Sequence, residues 1–291
     1  MPSLPAPLWR RFLRQPGALP ALLFLCAVVV LALVAPWLYP RSPWRMATAP
    51  LLPPLSQWAF PLGSDMLGRD IAAGLVHGAR ASLLAGFVST ALALAIGVPL
   101  GALAGYAGGR TDRVLSVFIE CFQTVPQFAM AVVLVAIAGP SLAVIIGAIA
   151  IVSWPPVARL VRAEIMSLRE RDFVAAARVA GERPWRILSG QILPNALSPI
   201  VVCAAFMVAT AMLTESALAF LGLGDPKLMS WGFMLGAGRT MVREAWWLSV
   251  WPGLALLCTV LSINVATESL HRALHPGAAA TGARSRAARP A

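Results

Sequence analysis

The chain has 291 residues, of which 59% are hydrophobic and 12% charged, and its mean hydropathy is +0.77. A soluble domain carries about twice that share of charge, so this composition excludes an ordinary soluble enzyme and points to a bilayer as solvent. The net charge of +11 comes from arginines at the ends of apolar segments, not from an aromatic-interleaved basic face, which excludes a nucleic-acid partner.

Six runs are long and apolar enough to cross about 30 Å of hydrocarbon as helices. They are Leu19–Leu38, Ala81–Gly105, Val114–Ala138, Leu142–Ala158, Ile200–Leu221 and Trp247–Ala266. The expected architecture is an all-α polytopic membrane protein with six transmembrane helices. Residues 1–18 form an N-terminal segment ahead of the first span, 19–38. Arg10, Arg11 and Arg14 precede that span, but its apolar run is too long for a signal-peptide core and lacks a good small-residue cleavage site, so it reads as an anchor.

Residues 39–80 make a loop, rich in Pro and Trp at its start and then reading PLGSDMLGRDIAAGLVHGAR. Ser64 and Asp65 are placed to cap a short surface helix from Met66, with Leu67, Ile71, Leu75 and Val76 on one stripe. Residues 81–276 hold the remaining five spans, the third and fourth joined by only Gly139, Pro140 and Ser141 in a tight hairpin. The final residues, 277–291, are Ala, Gly, Arg and Ser without apolar period, and are expected to be disordered. Six is even, so both termini share a side; that side collects 16 of the 23 Lys+Arg and the other side seven, which places both termini in the cytoplasm.

Cys26, Cys121, Cys203 and Cys258 fall in apolar runs without CxxC spacing, so they read as small core residues and suggest neither disulfides nor zinc. His77, His271 and His275 have no ligand-spaced partners, and no metal site is expected.

Between the fourth and fifth spans runs RLVRAEIMSLRERDFVAAARVAGERPWRILSGQILPN, which has helical periodicity without the length to span a membrane. Ile165, Leu168 and Val179 with the alanines predict a first helix. Gly181 caps it, and Pro184 starts a second short helix that ends before Pro194. The expected product is a protruding knob at 163–195.

Within it, FVAAARVAG followed by WRILSGQILPN resembles the EAA loop of binding-protein-dependent ABC importer permeases. Ala176, Ala177, Gly181, Leu193 and Pro194 fall in register with that pattern, while Ala175 occupies its glutamate slot and Gln191 its isoleucine slot. PLGSDMLGRDI, GYAGGRTDR, ARLVRAEIMSLRERDFV, ESALAFLGLG, SWGFML and WPGLALL are together similar to the second permease of dipeptide, oligopeptide and nickel importers. The resemblance covers roughly residues 20 to 276. Thr267 and Glu268 depart from the Gly-Asp usual in relatives.

The resemblance implies a type I ABC importer permease fold in the bacterial inner membrane. It also implies that the knob inserts in a cleft on an ATPase, with Ala176, Ala177, Arg178, Gly181, Trp185, Arg186, Leu193 and Pro194 as the coupling residues. Arg178, Arg183 and Arg186 read either as charge contacts at that rim or as markers of the cytoplasmic side. No G-x-x-x-x-G-K-[ST] run is present, so ATP and Mg belong on separate ATPase subunits and this chain needs no cofactor and has no catalytic residues. The implied partners are a homologous second permease, two ATPase domains, a periplasmic or lipid-anchored solute-binding protein, and membrane lipid.

Polar groups in a span need a reason. Glu120, Gln123 and Gln127 lie at i, i+3 and i+7 beside Pro126, and Glu215 lies near the outer end of the fifth span. Either they line a translocation path for a zwitterionic or cationic substrate, or they join helices by hydrogen bonds of about 1 kcal/mol each. The glycines and Pro99 of AIGVPLGALAGYAGG read as close-packing and kink positions. Dipeptides or oligopeptides are the first substrate class, nickel or a metal chelate the second. An ion-coupled secondary transporter using Glu120 and Glu215 remains as a different class, without the internal inverted repeat such folds usually carry. A membrane enzyme is a third, without a nucleophile-base pair or H-E-x-x-H motif.

Overall fold

A computed structural model describes residues 8–274; the segment expected to be disordered, 277–291, lies outside them. Among the described residues the regular secondary structure is helical, and two isolated β-bridges, Met46 with Arg69 and Ser64 with Asp70, lie in the first long loop and at its end. A short helix α1 (Leu8–Leu13) turns at Gly17, where φ is +84°, into the first span α2 (Ala18–Leu38).

The second span, α3, runs over Ile71–Ala107. Its 37 residues extend about 55 Å at 1.5 Å per residue, well beyond the hydrocarbon at both ends. No surface helix starts at Met66: Ile71, Leu75 and Val76 belong to the first turns of α3. Left-handed Gly63 and Gly68, at φ +85° and +73°, hold a tight loop that helix cannot enter. Ser64 and Asp65 serve that loop. The Ser64 hydroxyl donates to the Ala49 carbonyl at 2.7 Å and accepts from the Leu52 amide at 2.9 Å, and Asp65 Oδ1 accepts from the Leu67 and Arg69 amides at 2.8 Å. The cap of α3 is Asp70, whose Oδ1 accepts from the Ala72 amide at 2.9 Å; burial pushes its carboxyl up against the lowering effect of the Ala72 and Ala73 amides.

The expected third span, Val114–Ala138, is not one helix. It divides into α4 (Gly109–Gln123) and α5 (Gln127–Ala138), bent by 75°. Pro126 supplies no amide and drives the residue before it out of helical geometry, so the helix restarts after it. The fourth span, α6, covers Leu142–Arg169 and is capped by Ser141, which accepts from the Val144 amide at 3.3 Å.

Packing of α3 on α6 sets the directions of the chain. Gly97, Gly101 and Gly105 form one stripe on α3. A Cβ at Gly97 would lie 2.7 Å from the Trp154 carbonyl and from Val157 Cβ, and one at Gly105 would lie 2.6 Å from the Arg162 carbonyl. One at Gly101 would overlap the Ala158 carbonyl. Residue numbers rise together along both helices, so α3 and α6 are parallel. The bent pair α4–α5 must therefore return the chain across the bundle, which makes it a broken sixth span beside five continuous ones among the described residues.

After α6 come α7 (Asp172–Val179), α8 (Pro184–Ile187), a π-helical turn at Leu188–Ile192, and α9 (Leu193–Leu218), which ends in a second π turn at Ala219–Leu223. The second knob helix does not stop before Pro194, because helix continues from Pro184 to Leu223 and Pro194 sits in the first turn of α9, where its missing amide costs nothing. A short helix α10 (Trp231–Gly238) and the final span α11 (Trp247–Leu274) follow. Phe12 of α1 packs beside Thr267 and Leu270 near the end of α11, and Pro199 and Cys203 of α9 share a second cavity with Thr267 and His271. Both described ends of the chain and the knob thus lie at one end of the bundle, with the first long loop and α10 at the other. The cysteines are not core residues in this chain, since Cys26 and Cys121 are exposed and Cys203 and Cys258 half-buried.

Replacing Gly101 by Val should cost about 1–3 kcal/mol through overpacking against backbone that cannot yield, read as a fall in membrane abundance and in unfolding temperature of the detergent-purified protein. Gly147, where a Cβ meets nothing within 4 Å, is the control; Gly147→Ala should leave both unchanged or raise stability by up to about 1 kcal/mol.

Candidate functional site

The knob owes its shape to one turn. Helix α7 ends at Val179, and Gly181 follows with φ +77°. The Glu182 amide donates to the Ala177 carbonyl at 3.1 Å and the Gly181 amide to the Arg178 carbonyl at 3.1 Å, the paired closing bonds of a Schellman motif. Only glycine takes this conformation without cost. A Cβ at Gly181 meets nothing within 4 Å in this chain, so the space beside it is open.

Beneath the turn, Val174 and Ala177 of α7, Ile187 of α8 and Ile192 of the π turn are buried against Ile165 and Val161 of α6, Ala102 of α3, and Ala196 and Ile200 of α9. The knob and the adjoining halves of three spans therefore share one hydrophobic cluster. Ala177 belongs to this core rather than to the outer surface. Across the turn the Gln191 Nε2 donates to Glu182 Oε2 at 2.9 Å, so the side chain that departs from the isoleucine slot ties the π turn to the cap of α7.

The outer face is apolar and uncovered. Val179 is 90% exposed, Trp185 60% and Phe173 39%; Ala175, Ala176, Arg178, Gly181 and Pro194 are also exposed. Leu193 is half-buried and packs on the cluster below. The Arg186 guanidinium lies 5.4 Å from the Trp185 ring centroid, a cation–π arrangement that keeps the ring and the charge on one surface.

Three arginines of α6 fasten the knob end of the bundle, and the sequence had shown them only as markers of side. Arg162 forms a bidentate ion pair with Asp112 of α4, through its Nε and, at 2.7 Å, its Nη2. Arg159 donates to Gln123, and Arg169 donates to the Tyr106 carbonyl at 3.1 Å at the end of α3, where a cation meets carbonyls that no helix turn satisfies. The pairing of Asp112 with Arg162 depends on which helices are neighbours, and residues 50 apart in sequence give no sign of that.

The polar residues expected on one stripe are divided. Glu120 and Gln123 lie on α4, while Gln127 begins α5 beyond the bend. Glu120 and Gln127 are exposed, and Gln123 is half-buried under Arg159. Glu215 is enclosed, at 2% exposure, where α9 meets α3 and α10. It accepts from the Ser82 hydroxyl of α3 at 3.2 Å and from Ser216 at 3.3 Å, and also bonds to Ser230 at the start of α10.

A family model described as "Binding-protein-dependent transport system inner membrane component" matches residues 97–279, and one described as "N-terminal TM domain of oligopeptide transport permease C" matches residues 6–54. The chain is 41% identical to the di/tripeptide transport system permease protein DppC of Pseudomonas aeruginosa, over 94% of each chain. It is 37% identical to the glutathione transport system permease protein GsiD of Pectobacterium atrosepticum, over 92% of this chain and 89% of the relative. Among solved structures, a chain of the methionine ABC transporter MetNI in an inward-facing conformation superposes with a TM-score of 0.57 at 21% identity, covering 70% of this chain and 97% of that one. That likeness concerns the fold. With a family model over most of the bundle and relatives this similar from end to end, the chain belongs to the family of binding-protein-dependent transport system inner membrane components, multi-pass permeases of the inner membrane.

Proposed function

We propose that this permease is the membrane subunit of an ATP-binding-cassette importer for dipeptides or oligopeptides, and that the knob at 163–195 is where a separate ATPase drives it. The observation that carries the reading is the exposed apolar face of Phe173, Val179 and Trp185 on a knob whose own core is already filled. An uncovered apolar face of that kind marks an interaction site. The open space beside Gly181 suits the close approach of a partner, with Ala176, Arg178, Trp185, Arg186 and Pro194 around it. Ala177 and Leu193 support the face from below.

Two ATPase domains would hold the ATP and Mg. A homologous second permease completes the path, and a periplasmic or lipid-anchored binding protein delivers the solute. Membership of this family favours an importer over an ion-coupled carrier, and the names of the similar permeases, which transport di- or tripeptides and glutathione, favour peptides over nickel or a metal chelate. Glu120 and Gln127, exposed on either side of the α4–α5 bend, are the side chains we assign to the path, with Gln123 held between them. The arginine count and the shared end of the bundle support termini and knob in the cytoplasm.

Gly181→Asp meets no neighbour in this chain and carries only the local cost of a left-handed residue, about 1 kcal/mol, so it should still insert, yet abolish ATP-driven peptide uptake in vesicles that hold the whole importer. Trp185→Ala should weaken ATPase binding about thirtyfold, as removal of a central aromatic anchor does. Uptake that survives both changes, or that proceeds on an ion gradient without any ATPase, sinks the reading. For orientation, a membrane-impermeant thiol reagent should label Ala175→Cys in inside-out vesicles and not in intact cells; the reverse result would invert the topology.

A further inference from the structure

A carboxyl group inside a membrane helix is costly and persists only where it is satisfied and useful. Glu215 has no cationic partner among the described residues. It is held instead by the hydroxyls of Ser82, Ser216 and Ser230, from α3, α9 and the cap of α10. Two of these hydroxyls also accept from α10 itself. The Trp231 amide donates to Ser82 Oγ at 3.3 Å and the Phe233 amide to Ser230 Oγ at 3.1 Å. One carboxyl therefore orders, through two serines, two amides in the first turn of α10 and the anchor of that turn on α3.

Seating of α10 on α9 is equally tight. A Cβ at Gly232 would lie 2.5 Å from Ser216 Cα, and one at Gly236 3.1 Å from Phe220 Cα. The Trp231 indole donates to the Leu75 carbonyl of α3 at 2.9 Å. Helix α10 dips into the bundle between α3, α9 and α11 at the end opposite the knob, and α9 continues the helical run that starts at Pro184 in the knob, through the π turn at Leu188–Ile192.

We propose that Glu215 is a positioning residue: it locks α10 to α9 and α3, so that α10, at the end of the bundle opposite the knob, moves as one body with the helix that continues from the knob. This rests on the importer reading above. ATPase closure displaces the knob, α9 carries the displacement across the membrane, and the serine-held carboxyl passes it to α10. In this role Glu215 acts through its hydrogen bonds and does not touch the substrate.

The test uses the full importer with the native cysteines of this chain replaced and Met234→Cys as reporter, since Met234 is half-buried on α10 against Gly74. Its labelling rate by a membrane-impermeant maleimide reads the position of α10 without any need for transport. Glu215→Ala should raise that rate about tenfold, as loss of hydrogen bonds to a buried carboxyl warrants, and abolish ATP-driven uptake. Glu215→Gln keeps an acceptor oxygen and should hold the rate within about twofold and retain most uptake, because neutral hydrogen bonds persist. If Glu215→Ala does not insert, Ser230→Ala removes the bond to Glu215 together with the cap bond to the Phe233 amide, and should raise labelling while leaving abundance intact. Unchanged labelling in both Glu215→Ala and Ser230→Ala overturns the proposal. So does a Glu215→Gln protein that keeps α10 in place but loses uptake, since the charge itself would then meet the substrate. Raised labelling with full uptake overturns the coupling. Wild-type uptake without an ATPase sinks the importer reading instead, and the labelling ratio still decides whether Glu215 positions α10.

Discussion

The approach of α3 to α6 along Gly97, Gly101 and Gly105 is the constraint on which the rest depends. In lipid the hydrophobic effect does not press two apolar helices together, because the tails are as apolar as the side chains. Association relies on close packing, which small residues permit. Three glycines one turn apart put the backbone of α3 against the carbonyls of Trp154, Ala158 and Arg162. The contact is parallel, so the chain needs a full crossing between the two helices, and the bent pair α4–α5 supplies it. The same contact brings the ends of α3 and α6 together where Arg169 bonds to the Tyr106 carbonyl. The knob grows directly from that fastened corner.

Charge follows the same economy. A charged group near the membrane is tolerated where its partner is fixed in place. Arg162 faces Asp112 across two helices, Arg159 reaches Gln123, and Glu215 is ringed by serine hydroxyls. By contrast Arg178 and Arg183 on the knob are exposed, with no ion pair among the described residues. The paired charges hold the bundle together, whereas Arg178 and Arg183 stay open on the surface of the knob. The number of arginines on a side does not separate these two groups; their neighbours do.

Much of this was legible in the residues. Apolar length located every span, and Gly181 between two helical patterns marked the knob, because a left-handed cap is a local property of a few residues. What stayed hidden was of longer range. Pro126 lies inside an apolar stretch long enough to pass as one helix, so Glu120, Gln123 and Gln127 looked like one stripe when a 75° bend divides them. Asp70, not Ser64 or Asp65, caps α3, because Gly63 and Gly68 fold the intervening residues into a loop held by bonds to Ala49 and Leu52. Helix α10 has eight residues, too few for any periodicity, and its seat shows only in contacts across the fold, of its glycines with Ser216 and Phe220 and of Trp231 with Ser82 and Leu75. Ala177 and Ala176 are adjacent and chemically identical, yet one faces the core and the other solvent, which depends on where α7 lies on α6.

The arrangement also determines what a push on the knob can do. Val174, Ala177, Ile187 and Ile192 are packed with Ile165 of α6 and Ile200 of α9 in one cluster, and a close-packed cluster transmits displacement rather than absorbing it. The π turns at Leu188–Ile192 and Ala219–Leu223 are the places along the Pro184–Leu223 run where the regular hydrogen-bond ladder is already interrupted, and such turns commonly sit at functional positions in a helix. One lies within the knob where the chain enters α9, the other between α9 and α10. Between them α9 contains Pro199, which removes one further rung, and it packs against α3, α11 and α6. A displacement of the first π turn is thus passed along α9 to the second, beside the point where Gly232 and Gly236 seat α10 on Ser216 and Phe220.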